Sequence, residues 1–220
     1  RHYLWRQGED ATSQLRKSVD KLERNLSLTK QVIQQTMQVE EGNLHIKDRI
    51  VSLFDTNARP IRKGKLHSPT EFGRKVLIQD TEEHVITHYE VCKGNPGDDS
   101  LLTGAVDRHI QTVGRVPRSV ATDRGFGSAK NEKELKDRGV KHISLPRKGK
   151  INTERKQMQS QPWFRRLQRW RAGGEAIISL LKRKYGLNRC RFRGVNGTET
   201  WVGFGVLAYN LKRIAALMTK

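Results

Sequence analysis

Apolar positions recur with a helical period near the start of the chain and towards its end, and alternate over shorter runs in between. From about 9 to 40, Leu15, Val19, Leu22 and Leu26 step by four, three and four, and Ile33 and Met37 extend the stripe past a weak point near 25–29. This predicts a linker helix or helical hairpin, or equally a plain amphipathic packing helix. At Arg49 the period drops to two. RIVSLFD (49–55) reads as a short strand with Ile50, Ser52 and Phe54 on one face and Val51, Leu53 and Asp55 on the other, followed by the basic loop NARPIRKGK. Strands are predicted again over 72–78 and 83–91, parted by a turn at 80–82, so that the three runs form an antiparallel meander. The turn-rich GNPGDDS (94–100) opens a helix to about 112, which Asp98 or Asp99 can cap. A strand over 117–122 ends at Asp123, a charged helix covers 129–138 and a strand covers 140–145. A basic loop begun by PRKGK then lasts to about 161. Helices over 163–184 and 199–218 close the series, the last apolar nearly all round at 201–208 and so expected to be substantially buried. Three strands, then alternating helices and strands, describe a mixed α/β sheet with helices on its faces.

The helix over 163–184 carries two stripes. Trp163, Leu167, Trp170, Gly174, Ile177 and Leu181 form an apolar one, while Arg171, Glu175 and Lys182, spaced by four and seven, form a charged one. Glu175 is the only acid in this basic segment. Gly173 and Gly174 each cost about 1 kcal/mol relative to Ala inside a helix, which predicts a close approach by the sheet or by DNA.

Asp55 and Asp123 end strands, where an acid on an otherwise apolar face is costly. Hard divalent cations take carboxylate oxygens together with water and substrate phosphates, so the three acids suit a metal site. Any one of them also suits an ordinary ion pair with the many Arg and Lys. Gly125 and Gly127 fit either a tight turn or a bare backbone that a nucleic acid can approach. His84, His88 and Cys92 fall four apart on a predicted strand, but no second ligand pair with zinc-site spacing accompanies them, and they read as ordinary strand residues.

Charge changes the picture more than length does. Lys and Arg outnumber Asp and Glu 43 to 23 over 220 residues, a formal net charge of +20. An imbalance of that size favours an anionic partner, and nucleic acid leads. The two cysteines form no CxxC pair, which argues for a reducing compartment. No apolar run reaches membrane-spanning length and no signal peptide is visible, so a cytoplasmic, nucleoid-associated location without membrane contact is expected. Beginning at Arg1 rather than Met, the chain is expected to lack an upstream module.

From about Arg49 onward the chain resembles the DDE transposases of bacterial insertion sequences. The resemblance is carried by SLFDTNARPIRKGK (52–65), PTEFGRKVLIQD (69–80), VCKGNPGDD (91–99), VATDRGFGS (120–128), RWRAGGEAIISLLKRKYGLNRCRFRG (169–194) and WVGFGVLAYNLKRIA (201–215). It implies an RNase H-like fold over 46–220 with a helical extension over 1–45. It also implies that Asp55, Asp123 and Glu175 are the catalytic acids and the ligands of two Mg²⁺ (or Mn²⁺) ions. Arg171, Glu175 and Lys182 match the Arg-x₃-Glu-x₆-Lys part of a signature whose tyrosine position is here Gln168, and the place two residues after Asp55, often acidic, is Asn57.

The implied activity is cleavage at the ends of the element and joining of the freed 3′-hydroxyls to target DNA, by a protein that oligomerises on DNA. Arg171 and Lys182, with Arg124 and the basic loops containing Arg62, Lys63 and Lys65 and Arg147 and Lys148, are expected to contact DNA phosphates. Two alternatives are a nuclease of the same fold that cuts without joining, and a basic nucleic-acid-binding protein with no catalysis.

Overall fold

The first apolar stripe folds as one uninterrupted helix, α1 (His2–Glu40). It runs unbroken through its weak point, where the Thr29 hydroxyl donates to the Asn25 carbonyl at 2.9 Å and so finds its partner inside the helix. The computed structural model describes residues 2–62, 70–147 and 149–219, the side chains of 2–10 and 62 excepted. It divides into two compact units, Arg1–Gly73 and Arg74–Lys220.

In the first unit, β1 (Arg59–Arg62) pairs antiparallel with β2 (Thr70–Gly73). The predicted strand over 49–55 is not formed. Side chains take the places that a neighbouring strand would fill. The amide of Gln35, buried on α1, accepts from Ile50 N at 2.7 Å and donates to Ile50 O at 3.3 Å. Further on, Ser52 Oγ accepts from Asp55 N and Asp55 Oδ1 from Asn57 N, both at 3.2 Å, which turns the backbone out of an extended course.

The second unit begins with an antiparallel hairpin of β3 (Val76–Asp80) and β4 (Ile86–Val91), in which Ile78 faces Tyr89. Next come α2 (Asp98–Val113), β5 (Ser119–Ala121), α3 (Ala129–Asp137) and β6 (His142–Ser144). β5 and β6 run parallel, with α3 in the crossover between them. Three helices finish the unit: α4 (Thr153–Ser160), α5 (Pro162–Lys184) and α6 (Gly194–Met218).

The expected three-stranded meander is thus replaced, among the described residues, by three two-stranded ladders. The run over 72–78 is divided between two of them. Within the expected loop after 145, α4 forms because Asn152 caps it, accepting from Arg155 N at 2.9 Å, and because Arg155 pairs with Glu132 and donates to the Leu145 carbonyl. His84 lies in the β3–β4 turn at φ 59° rather than on a strand with His88. Nor is α6 buried all round: Val202, Gly205, Val206 and Tyr209 face inward, whereas Phe204 and Leu207 are exposed.

Two apolar clusters make the core of this unit. One joins β4, α5 and α6 through Ile86, Val91, Ile177, Leu181, Val202 and Val206. The other joins α2, α3 and β6 through Leu102, Val106, Leu135, Val140, Ile143 and Leu145. At about 25 cal/mol per Å² of apolar surface, burying each such side chain contributes roughly 1.5–3 kcal/mol.

Candidate active site

Between the two clusters lies a cleft of about 240 Å³, walled by Leu77 of β3, Leu102 and Val106 of α2, Val120 of β5 and Ile177 of α5. Asp123, Arg171 and Glu175 line it as well, so an apolar floor carries a charged group.

Asp123 follows β5 after Thr122 and stands at the N-terminal boundary of a 3₁₀ turn, Arg124–Phe126, without a side-chain cap bond. Side chains and backbone from three elements fix this strand end and the turn. Thr122 N donates to Ser144 O at 3.2 Å. Gln168 of α5 donates from Nε2 to the carbonyl and hydroxyl oxygens of Ser144, each at 2.9 Å, and reaches Thr122 O at 3.5 Å. Beyond the turn, the buried Asn131 donates to Phe126 O at 2.8 Å and to Asp99 O at 2.9 Å. The two glycines of the turn have internal neighbours: a Cβ at Gly125 would collide with the Asp98 carboxylate, and one at Gly127 with the Pro146 carbonyl. The tight-turn reading of these residues therefore has direct structural support.

Helix α5 supplies Glu175. Its apolar stripe faces inward as expected, with Ile177 and Leu181 buried, and Phe164 joins them. Pro162 at the first turn lacks only an N–H that the helix leaves unpaired anyway. Trp170, on the same stripe, stacks on His84 with ring centroids 5.9 Å apart and planes 2° apart, while its Nε1 donates to Glu82 O at 3.1 Å. His84 is held in turn by Asp80, Nδ1 to Oδ2 at 2.8 Å. The imidazole packs over the helix where Gly173 leaves room, since a Cβ there would lie 2.5 Å from Nε2. A Cβ on Gly174 would meet nothing within 4 Å. Only Gly173 is explained by close approach of the β3–β4 turn.

The decisive contact is made by Arg171. Its Nη1 donates to Asp123 Oδ1 and, at 3.2 Å, to Glu175 Oε1. Acids 52 positions apart in sequence thus converge on one nitrogen. Both are open to solvent, with side-chain exposures of 57% for Asp123 and 70% for Glu175, against 24% for Arg171. Two solvent-facing carboxylates drawn together around a positive charge are a donor set that a hard divalent cation can use while keeping water ligands. Among the described residues no group of three or more His, Cys, Asp or Glu side chains gathers for a metal.

The chain matches the family model of the transposase DDE domain over residues 28–211. It belongs to the DDE transposase family. No curated protein and no solved structure matches it. Asp55, Asp123 and Glu175 all lie within the matched span of this transposase domain. The structure brings together Asp123 and Glu175 in the second unit, whereas Asp55 is placed in the first, at the turn it shares with Asn57.

The remaining expected residues divide as follows. Arg124 is exposed one residue past Asp123, and Lys182 is half-buried on α5. Arg147 pairs with Glu132 at 2.7 Å. Lys63, Lys65, Lys148 and the side chain of Arg62 lie outside the described residues. Sequence reasoning missed Gln168 as the strand-end clasp and Asn131 as the brace of the turn. A carboxamide at the signature's tyrosine position was the available signal for the first; the second carried none. No helix among the described residues is long and apolar enough to cross a membrane.

Proposed function

We propose that this transposase domain cuts phosphodiester bonds at the ends of its own element and transfers the freed 3′-hydroxyls into target DNA, in an RNase H-like region over 46–220. Asp123 and Glu175, with Asp55 as the expected third acid, would hold two Mg²⁺ or Mn²⁺ ions. Bound there, the ions would supply activation of a water or 3′-hydroxyl and stabilisation of the leaving oxygen. The observation that carries this reading is the convergence of Asp123 and Glu175 on one cation. Asp55 lies within the span matched by the family model.

The protein's own groups orient the substrate. Arg124 beside Asp123 and Lys182 beyond Glu175 place positive charge on both sides of the acid pair, where each can hold a phosphate as a point or forked donor. Basic segments around 59–65 and 147–150 grip the backbone without reading bases. Cutting two ends calls for at least two copies assembled on DNA.

The test uses Asp55→Asn, Asp123→Asn and Glu175→Gln in the whole chain. Each is expected to lower cleavage by at least about two orders of magnitude while duplex binding is retained or tightened. Pre-cleaved ends then separate the chemistries: joined product supports the transposase, and cleavage without joining supports a nuclease of this architecture. Loss of DNA binding together with cleavage would overturn the metal-ligand roles.

A further inference from the structure

Arg171 does something that neither charge patterning nor the signature requires of it: it occupies the place between the two acids. One Nη1 serves both carboxylates, and the guanidinium is less exposed than either of them. Its Nε, by contrast, is buried without a hydrogen-bond partner among the described residues. A buried donor left unsatisfied costs free energy, so the fork is only partly used in this pose. A phosphate oxygen pair could engage it as a bidentate acceptor.

We propose that Arg171 is a resident counter-cation of Asp123 and Glu175, which a divalent ion must displace and a DNA phosphate draws away, so that metal and DNA bind cooperatively through one side chain. The proposal rests on the metal-ligand reading of those two acids. Its physical basis is simple exclusion of charge. The guanidinium occupies one oxygen of each carboxylate, on the side where the two acids face each other, and its charge repels a second cation at a separation of a few ångströms. Once the guanidinium swings to a phosphate, the same carboxylates are left as an uncompensated pair of anions. By linkage, DNA then raises metal affinity by the same factor by which metal raises DNA affinity. In the absence of DNA the guanidinium offsets one of the two carboxylate charges, which weakens the site's hold on stray divalent ions.

Direct Mn²⁺ binding, read by electron paramagnetic resonance of the free ion, tests this without reference to activity. The proteins are wild type, Arg171→Gln and Asp123→Asn, each with and without a short duplex, with folding checked by circular dichroism. Arg171→Gln is expected to bind Mn²⁺ about fivefold or more tightly than wild type in the absence of DNA, and to show a smaller gain on adding duplex. Asp123→Asn should bind weakly in every state. If Asp123→Asn is weak but Arg171→Gln binds no better than wild type, the counter-cation role is overturned while the ligand reading stands. If Asp123→Asn binds as wild type does, the ligand reading itself fails and this proposal with it. Arg171→Met serves as a second neutral variant should Gln not fold. Failure of both to fold overturns the proposal, because a cation the fold requires cannot leave for a phosphate.

Discussion

At the scale of single residues, carboxamides do much of the positioning. Gln35 takes both backbone groups of Ile50, and Asn210 does the same for Ile86, accepting from its N at 2.9 Å and donating to its O at 2.8 Å. Each acts as a one-residue substitute for a neighbouring strand. Removing the side chain leaves a part-buried donor and acceptor unpaired, which costs roughly 1–3 kcal/mol. Asn210→Ala is therefore expected to lower the unfolding free energy by about that much in a urea titration. Asn210→Asp should be comparably harmful, since it removes the donor to Ile86 O.

None of these clasps was legible in the sequence. Asn210 and Ile86 are 124 residues apart, and Gln35 and Ile50 are 15 apart. Local periodicity reports which face a residue occupies, not which distant backbone its amide will meet. The strand expected over 49–55 fails for that reason: its alternation is real, but Gln35, Ser52 and Asp55 satisfy its backbone first. By contrast, Asp123 and Glu175 were readable. An acid at a strand end and an acid alone on a basic helix are anomalies of composition at their own positions.

At the scale of elements, α5 shows how one helix serves packing and chemistry together. Its buried stripe of Phe164, Ile177 and Leu181 sets the rotation, and this turns Arg171 and Glu175 to the cleft. Its adjacent glycines are not equivalent. The imidazole that Gly173 accommodates is pinned by Asp80 and by the Trp170 ring, so it has little freedom to yield. Gly173→Ala is expected to destabilise the protein, because an overpacking penalty of about 1–3 kcal/mol exceeds the roughly 1 kcal/mol that Ala gains in a helix. Gly174→Ala meets open space and should stabilise by about 0.5–1 kcal/mol. Comparing the two thermal midpoints checks the assignment of the contact. The sequence pointed to close approach at both; that it occurs at Gly173 and not at Gly174 depended on where the β3–β4 turn lands.

For the second unit taken whole, stability should depend on two half-buried histidines beside its two apolar clusters. Burial pushes the pKa of both His88 and His109 below the ordinary value, and the cations Arg108 and Arg115 add to it respectively. Both therefore favour the neutral form more strongly in the fold than in the unfolded chain. The unfolded chain takes up protons first as pH falls, so the stability they contribute is intact above about pH 6.5. It is lost as pH drops through their lowered folded-state values. Chemical denaturation at a series of pH values should show a flat region above 6.5 and a decline below it, and His109→Gln should make that decline shallower.

The two helices that clamp the β3–β4 turn also constrain when the protein can fold. The carbonyls of Glu82, Glu83, His84 and Ile86 accept, in turn, from Trp170, Arg213, Tyr209 and Asn210. Three of those donors lie on α6, which also supplies Val202, Val206 and Tyr209 to the cluster around Ile86. Contacts of such long sequence separation form late, after most of the loop-closure entropy has been lost. On the ribosome, the hairpin must wait until more than a hundred further residues have been made. An interrupted copy lacking α6 would leave that hairpin uncovered and its apolar cluster without Val202, Val206 and Tyr209. Such fragments should be cleared by proteolysis rather than accumulate as partial, DNA-binding products.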